Sequence, residues 1–339
     1  MNAHLISEDY LYAIQQRNLV YNCDFRYFSN QVSNGNIIDY GIPDGWQYKD
    51  TGSNGSINFD TENNQLVIKK SQNTDLMQFS QALHEFPRWK KMLLSKTITA
   101  KVCLNLGLEG EISIILSDGI SSTTVTKNGK GNWVVELHLK VDATASKVTI
   151  SIQSAVPFMT INLSKVVANV GLVALENLSC IVEGVIGERK QYIATETSPA
   201  EELSLCNEPT ELSSNHTRLD SVINGRFGRG QNGRSLLIDM RGYFSRAWNN
   251  GSAIDPDASK RKAPNSGTVT GDHVSTFEED IFLKHDHGLN FGIDKPILTG
   301  DKGSATIVNT TVASKTNSTS EGKETRPKNI AELYTIKWA

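Results

Sequence analysis

The sequence predicts a mainly β protein, and three observations carry that expectation. Short runs alternating apolar and polar residues recur from Asn18 to about Gly187; Gly, Asn and Asp punctuate them; and the one helix-like stretch is brief and N-terminal. Alternation with period two gives a strand one buried and one solvated face. Many such strands separated by turns read as an all-β sandwich.

The elements follow in chain order. Ser7 is a plausible N-cap, Glu8 and Asp9 suit the positive end of a helix dipole, and Arg17 suits its other end. Tyr10, Leu11 and Ile14 form one apolar stripe, so residues 1–17 are expected to hold a short helix. It either docks on its own domain or serves for attachment. Strands are then expected at Gln65–Ile68, Thr97–Cys103, Glu111–Leu116, Trp133–Leu139, Lys147–Ile152 and Thr160–Leu163, giving a sandwich over 18–187. Residues 188–218 read as a connector, and 219–339 as a separate loop-rich and glycine-rich domain.

Composition narrows the function. Charged residues are 21%, hydrophobic ones 38%, and the formal net charge is −3, which fits a folded chain without a nucleic-acid surface or polybasic membrane patch. No window approaches the roughly 20 apolar residues of a spanning helix, so no membrane insertion is expected. The N-terminus lacks the basic and apolar regions of a secretory signal. Cys23, Cys103, Cys180 and Cys206 are dispersed without metal-binding spacing, which favours free thiols.

Three local patterns, Asn22–Phe25 (N-x-D-F), Pro43–Trp46 (P-D-G-W) and Val173–Glu176, resemble the jelly rolls of carbohydrate-binding modules. The C-terminal third resembles a different family. Phe227–Gly230 leads to a D-x-R-G-x-F-x-R core made by Asp239, Arg241, Gly242, Phe244 and Arg246, followed by loop residues Trp248–Gly251 and Asp255–Asp257. His285, Asp286 and His287 come next, then Glu324–Ala331 and Leu333–Lys337. This order resembles the collar-type domain of phage tail fibres over about residues 219–339. Pro199–Cys206 looks like an element that often follows such sandwiches in phage fibres. The G-W-x-x-C-D-G stretch that commonly opens the family is absent.

The resemblance implies an intertwined, irregular β tip domain in a homotrimer. It implies a virion tail fibre made in the host cytoplasm, held by a tail baseplate or fibre-attachment protein, and adsorbing to host cell-surface polysaccharide or lipopolysaccharide. His285 and His287 share one face of a strand; around a three-fold axis six imidazoles would suit an octahedral ion, and the family places iron or zinc there. Asp239 and Arg241 read as structural, satisfying irregular backbone through charge-assisted hydrogen bonds. Tyr243 and Trp248 are the aromatics expected to touch a receptor glycan.

Three functions are weighed: a non-enzymatic adhesin, a structural tail-tip or baseplate adaptor, and a glycan-depolymerising spike. The last needs two carboxylates about 5–10 Å apart, and neither Glu201–Glu202 nor Glu278–Asp280 sits in a catalytic setting. No G-x-S-x-G, HExxH or phosphate loop occurs. A phage and a contractile injection system would read alike.

Overall fold

The computed structural model describes residues 16–29, 42–50, 55–70, 72, 74–279 and 329–339. Ten strands form the sandwich: β1 (Gln47–Lys49), β2 (Ser56–Asp60), β3 (Gln65–Lys69), β4 (Met77–Ala82), β5 (Thr97–Leu106), β6 (Glu111–Ser117), β7 (Ser122–Asn128), β8 (Gly131–Lys140), β9 (Thr149–Ser154) and β10 (Thr160–Val170). Among the described residues one short helix, α1 (Trp89–Leu93), interrupts them. One antiparallel sheet runs β1-β4-β9-β6-β7 and the other β2-β3-β10-β5-β8. From β3 to β10 the first strand pairs with the last and the second with the seventh, so the eight strands wrap as a jelly roll.

Period two explains the two faces. In β5, Ile98, Ala100, Val102, Leu104 and Leu106 enter the core, while Lys101, Cys103 and Asn105 face outward. Ile112, Ile114 and Leu116 of β6 and Ile150 and Ile152 of β9 meet them from the opposite sheet. Each fully buried side chain of this size contributes about 1.5–3 kcal/mol.

The two N-terminal motifs converge on one aromatic cluster. Trp46 stacks on Phe79 with centroids 4.5 Å apart, and Phe25 tilts against both. Asn22, at a left-handed φ of 51°, donates its amide to the carbonyls of Tyr27 and Asp44 and accepts from the Tyr27 N–H. The Asp44 carboxylate accepts from the Ser29 N–H and hydroxyl. Gly45 has φ 84°, and a Cβ there would lie 2.6 Å from the Tyr21 ring. These motifs fasten the N-terminal segment across the sandwich.

A smaller core adjoins the sandwich in the same compact unit. It is built from β11 (Arg189–Tyr192), β12 (Glu202–Ser204), α2 (Thr217–Ile223) and β13 (Leu333–Lys337), with β13 between the other two strands. Leu205, Leu212, Leu219, Ile223, Phe227, Leu237 and Ile336 fill it. A 3-10 turn follows at Ala258–Lys260. Buried Glu85 accepts from the Thr217 N–H and hydroxyl and the Arg218 N–H, at 2.5–2.8 Å, at the start of α2. The buried Arg218 guanidinium donates to the carbonyls of Leu19 and Glu85.

Two expectations need correction. Gln16 and Arg17 are not helical: Asn18 bridges to Cys180 and Leu19 donates to the Ala168 carbonyl, so the chain enters extended. Pairing with the sandwich from Asn18 onward keeps Gln16 and Arg17 out of a helix; residues 1–15 lie outside the described residues. The intertwined trimeric tip is also not what the described part of 219–339 forms. Leu219, Val222, Ile223, Phe227, Leu237 and Ile336 close a core within one chain, so the burial of these residues needs no partner chain.

Candidate functional site

Polar side chains align across the outer face of the second sheet. The register places Asn58 opposite Val67, Val67 opposite Asn162, Asn162 opposite Asn105, and Asn105 opposite Asn132. One row therefore crosses all five strands and contains four asparagines. The Asn162 amide donates to the Asn105 carbonyl at 3.2 Å, and the Asn105 amide donates to the Asn132 carbonyl at 2.7 Å. Amides bonded in series polarise one another. Asn132 keeps its own N–H groups to offer, and Asn162 its carbonyl.

The Asn162, Asn105 and Asn132 part of the row lies in a trough of about 330 Å³, which Gln65, Cys103, Val134 and Ser164 also line. That volume is near the lower end of ligand pockets, about 300–1,000 Å³. A β-bulge between Leu163 and Lys165 inserts Ser164 into β10 and sets Lys165 opposite Cys103. The Ser164 hydroxyl donates to the Cys103 carbonyl. Burial pushes the Cys103 thiol up, with Lys101 opposing.

An ion pair lies two residues along β5 from the trough-lining Cys103. Lys101 grips Glu176, whose carboxyl that hydrogen bond holds below its usual range. Glu176 is delivered there because Asn169 ties the following turn, donating to the Val173 carbonyl and accepting from the Leu175 N–H. Glu136 lies 3.7 Å from His138, whose Nδ1 meets the Thr99 hydroxyl at 2.8 Å.

A second cavity of about 650 Å³ lies at the β2–β3 turn, lined by Arg26, Phe28, Phe59, Thr61 and Asn64. The two phenyl rings stand 6.0 Å apart at 57°. The Asp60 carboxylate shapes the turn, accepting from Glu62 and Asn63.

The residues singled out by motif lie elsewhere. Arg241 clamps Asp239 through Nε and Nη2 at 2.7–3.1 Å and reaches Glu208 at 2.8 Å. Gly242 has φ 81° with open space around its Cβ position, so conformation alone explains a glycine there. Phe244 is exposed, and Arg246 joins Asp255, Arg261 and Glu278 in a four-member ion network. Tyr243 is half exposed, edge-on to Phe277 at 6.0 Å. Trp248 is half exposed and donates its indole N–H to the Asp272 carbonyl at 3.1 Å. The Asp272 carboxylate in turn holds Asn249 and Gly251. His285 and His287 lie outside the described residues. Among the described residues, no three His, Cys, Asp or Glu side chains gather into a set that could hold a metal ion.

Sequence reasoning passed over the asparagine row. Of its members only Asn162 falls within an expected strand; Asn58, Asn105 and Asn132 lie outside the expected bounds, and Asn is a poor strand former, so little in the sequence signalled them.

No protein-family model matches the chain, so the collar-type resemblance finds no support there. Protein RhiB of Rhizobium leguminosarum bv. viciae is 30% identical over 131 residues, which is 36% of this chain and 58% of that protein. The chain thus spans less than two thirds of this relative. Similar solved structures include a family 61 carbohydrate-binding module in complex with β-1,4-galactotriose (11% identity, 45% of this chain and 97% of that one, TM-score 0.31). They include a xylan-binding domain from Paenibacillus barcinonensis (11%, 41% and 94%, TM-score 0.28). A domain of tailspike protein 4 from bacteriophage CBA120 is also similar (16%, 42% and 21%, TM-score 0.29).

Proposed function

We propose that this chain is a non-enzymatic glycan-binding protein whose ligand lies along the asparagine row on the second sheet. The carrying observation is the chain of amides from Asn162 through Asn105 to Asn132 on the floor of an open trough. A sugar hydroxyl both donates and accepts, and a row of amides offers both roles at strand spacing, roughly 4.8 Å. Val134, exposed at the side of the trough, supplies apolar contact for a ring face. Of the nearby carboxylates, Glu176 is engaged by Lys101.

In its fuller form the proposal places the module on the tail of a phage or phage-derived particle, adsorbing to host polysaccharide or lipopolysaccharide. The ordered motifs at 227–246, 285–287 and 324–337 support that setting. Iron or zinc held by His285 and His287 belongs to the same proposal, rests on the sequence motif, and takes no part in the binding step. A glycan panel titrated against the wild type and Asn105→Ala tests the central claim. Binding that Asn105→Ala weakens supports it; binding that this change leaves untouched moves the site elsewhere. Competition by the purified protein against particle adsorption tests the setting.

A further inference from the structure

At the joint between the sandwich and the small core, basic side chains converge on one carboxylate. Glu85, on the segment after β4, is buried and accepts from Thr217 and Arg218 at the start of α2. Arg218, fully buried, faces Glu85, Cys180 and Tyr21. His84 is 5% exposed and faces Glu85, Arg218 and Lys147, with its ring edge-on to Trp89. His216, the residue before α2, is partly buried, faces Glu85 and packs edge-on to Trp338 at 4.8 Å. At neutral pH one cation, Arg218, meets this carboxylate; in acid the two histidines add their charges to it.

His84 also makes a bond that a proton reverses. Its Nδ1 lies 3.1 Å from the Val148 nitrogen and 3.1 Å from the Val148 carbonyl oxygen. The neutral ring accepts from the N–H. A protonated Nδ1 can only donate, to a carbonyl that already takes the Leu83 N–H at 2.7 Å, and the Val148 N–H is left without its acceptor. Burial holds both imidazoles below the usual histidine range. The closed joint therefore binds fewer protons than an open one and weakens as pH falls below about 6.5. Polar contacts tie α2 to the sandwich: those to Glu85, the Arg218 bond to the Leu19 carbonyl, and the Ser221 hydroxyl accepting from the Gly45 N–H. The core between the two sheets is closed by inward Ile, Leu and Val, which no proton touches. We propose that this joint is an acid-sensitive latch: when His84 and His216 take up protons, α2 and the small core part from the sandwich while the sandwich stays folded.

Hydrogen exchange of the purified full chain, read by mass spectrometry at about pH 7.5 and about pH 5 and corrected for the intrinsic pH dependence of amide exchange, tests the latch. Peptides from α2 should lose protection about ten-fold at the lower pH, while those from β5 keep theirs. His84→Gln leaves the Val148 N–H an acceptor that does not titrate, and should remove most of that loss. NMR titration of the two imidazoles in the wild type is a second reading that needs no variant to fold: their midpoints should coincide with the midpoint of α2 exposure. Protection of α2 that acid leaves unchanged overturns the latch, and so does an equal loss in α2 and β5, which means global unfolding. A loss that His84→Gln retains in full, or ring midpoints well apart from that of exposure, overturns it too.

Discussion

Glu85→Ala is expected to be among the most damaging single changes outside the aromatic core. Glu85 is buried, and its carboxylate accepts three hydrogen bonds from Thr217 and Arg218. It also faces the fully buried Arg218, whose guanidinium burial pushes down and Glu85 pushes back up. Arg218 Nε has no hydrogen-bond partner among the described residues, and Glu85 is the foremost countercharge acting on this cation. Leaving the Thr217 and Arg218 donors buried without their acceptor, near a buried cation that has lost a countercharge, costs about 3–5 kcal/mol. With a urea m-value of about 3 kcal/mol/M, suited to a chain this long, the unfolding midpoint should fall by about 1–2 M. Glu85→Gln with Arg218→Met removes both charges and should recover much of that loss. A shift below about 0.3 M for Glu85→Ala, or no recovery in the double variant, would refute this account of the buried carboxylate.

Other outcomes follow from the same geometry. Gly45→Ala forces a Cβ to within 2.6 Å of Tyr21 at φ 84° and should lower stability by about 1–3 kcal/mol, read by thermal melting. Burial depresses the pKa of His84, with Arg218 and Lys147 acting the same way and Glu85 opposing; burial also lowers that of His216. The unfolded chain then takes up these protons first, so their stability contribution is complete above about pH 6.5 and is lost as pH falls below it. Denaturant melts from pH 8 to 5 should show that decline, and His84→Phe should flatten it. Bound glycan should protect Cys103 from alkylation while Cys206, packed beside Glu332 and Tyr334, reacts at an unchanged rate; mass spectrometry reads both, and an unprotected Cys103 argues against the trough. Metal analysis of purified protein should find iron or zinc that His285→Ala with His287→Ala removes; metal-free wild type defeats that part of the proposal.

How legible the molecule was depended on which interactions define each part. Strands β3, β5, β6, β8, β9 and β10 were visible because inward Ile, Leu and Val alternate with polar residues along each one. Strand β7 escaped notice: at the sheet edge, Ser122–Asn128 directs only Val125 against the core, and its ladder with β6 holds it in place. The N-x-D-F and P-D-G-W motifs were recognisable as patterns. That they build one aromatic cluster with Phe79 became visible only when β4 lay beside β1. The D-x-R-G-x-F-x-R run was read through a family resemblance; in the fold its charged members hold irregular loops by local ion pairs.

The sequence by itself determined the β class, the alternation that divides each strand into two faces, and the scattered placing of the cysteines. These depend on local periodicity and composition, which need no knowledge of neighbours. The asparagine row needed more. Asn58, Asn105, Asn132 and Asn162 are separated by dozens of residues, and one residue of slip in any strand would turn its asparagine from the outer face into the core. Register is set by the packing of two sheets, and the core of Trp46, Phe79 and the inward-facing strand residues locks it. The same holds for Arg218 and Glu85: each is an ordinary surface residue on paper, and only the docking of α2 against the sandwich takes them out of water together.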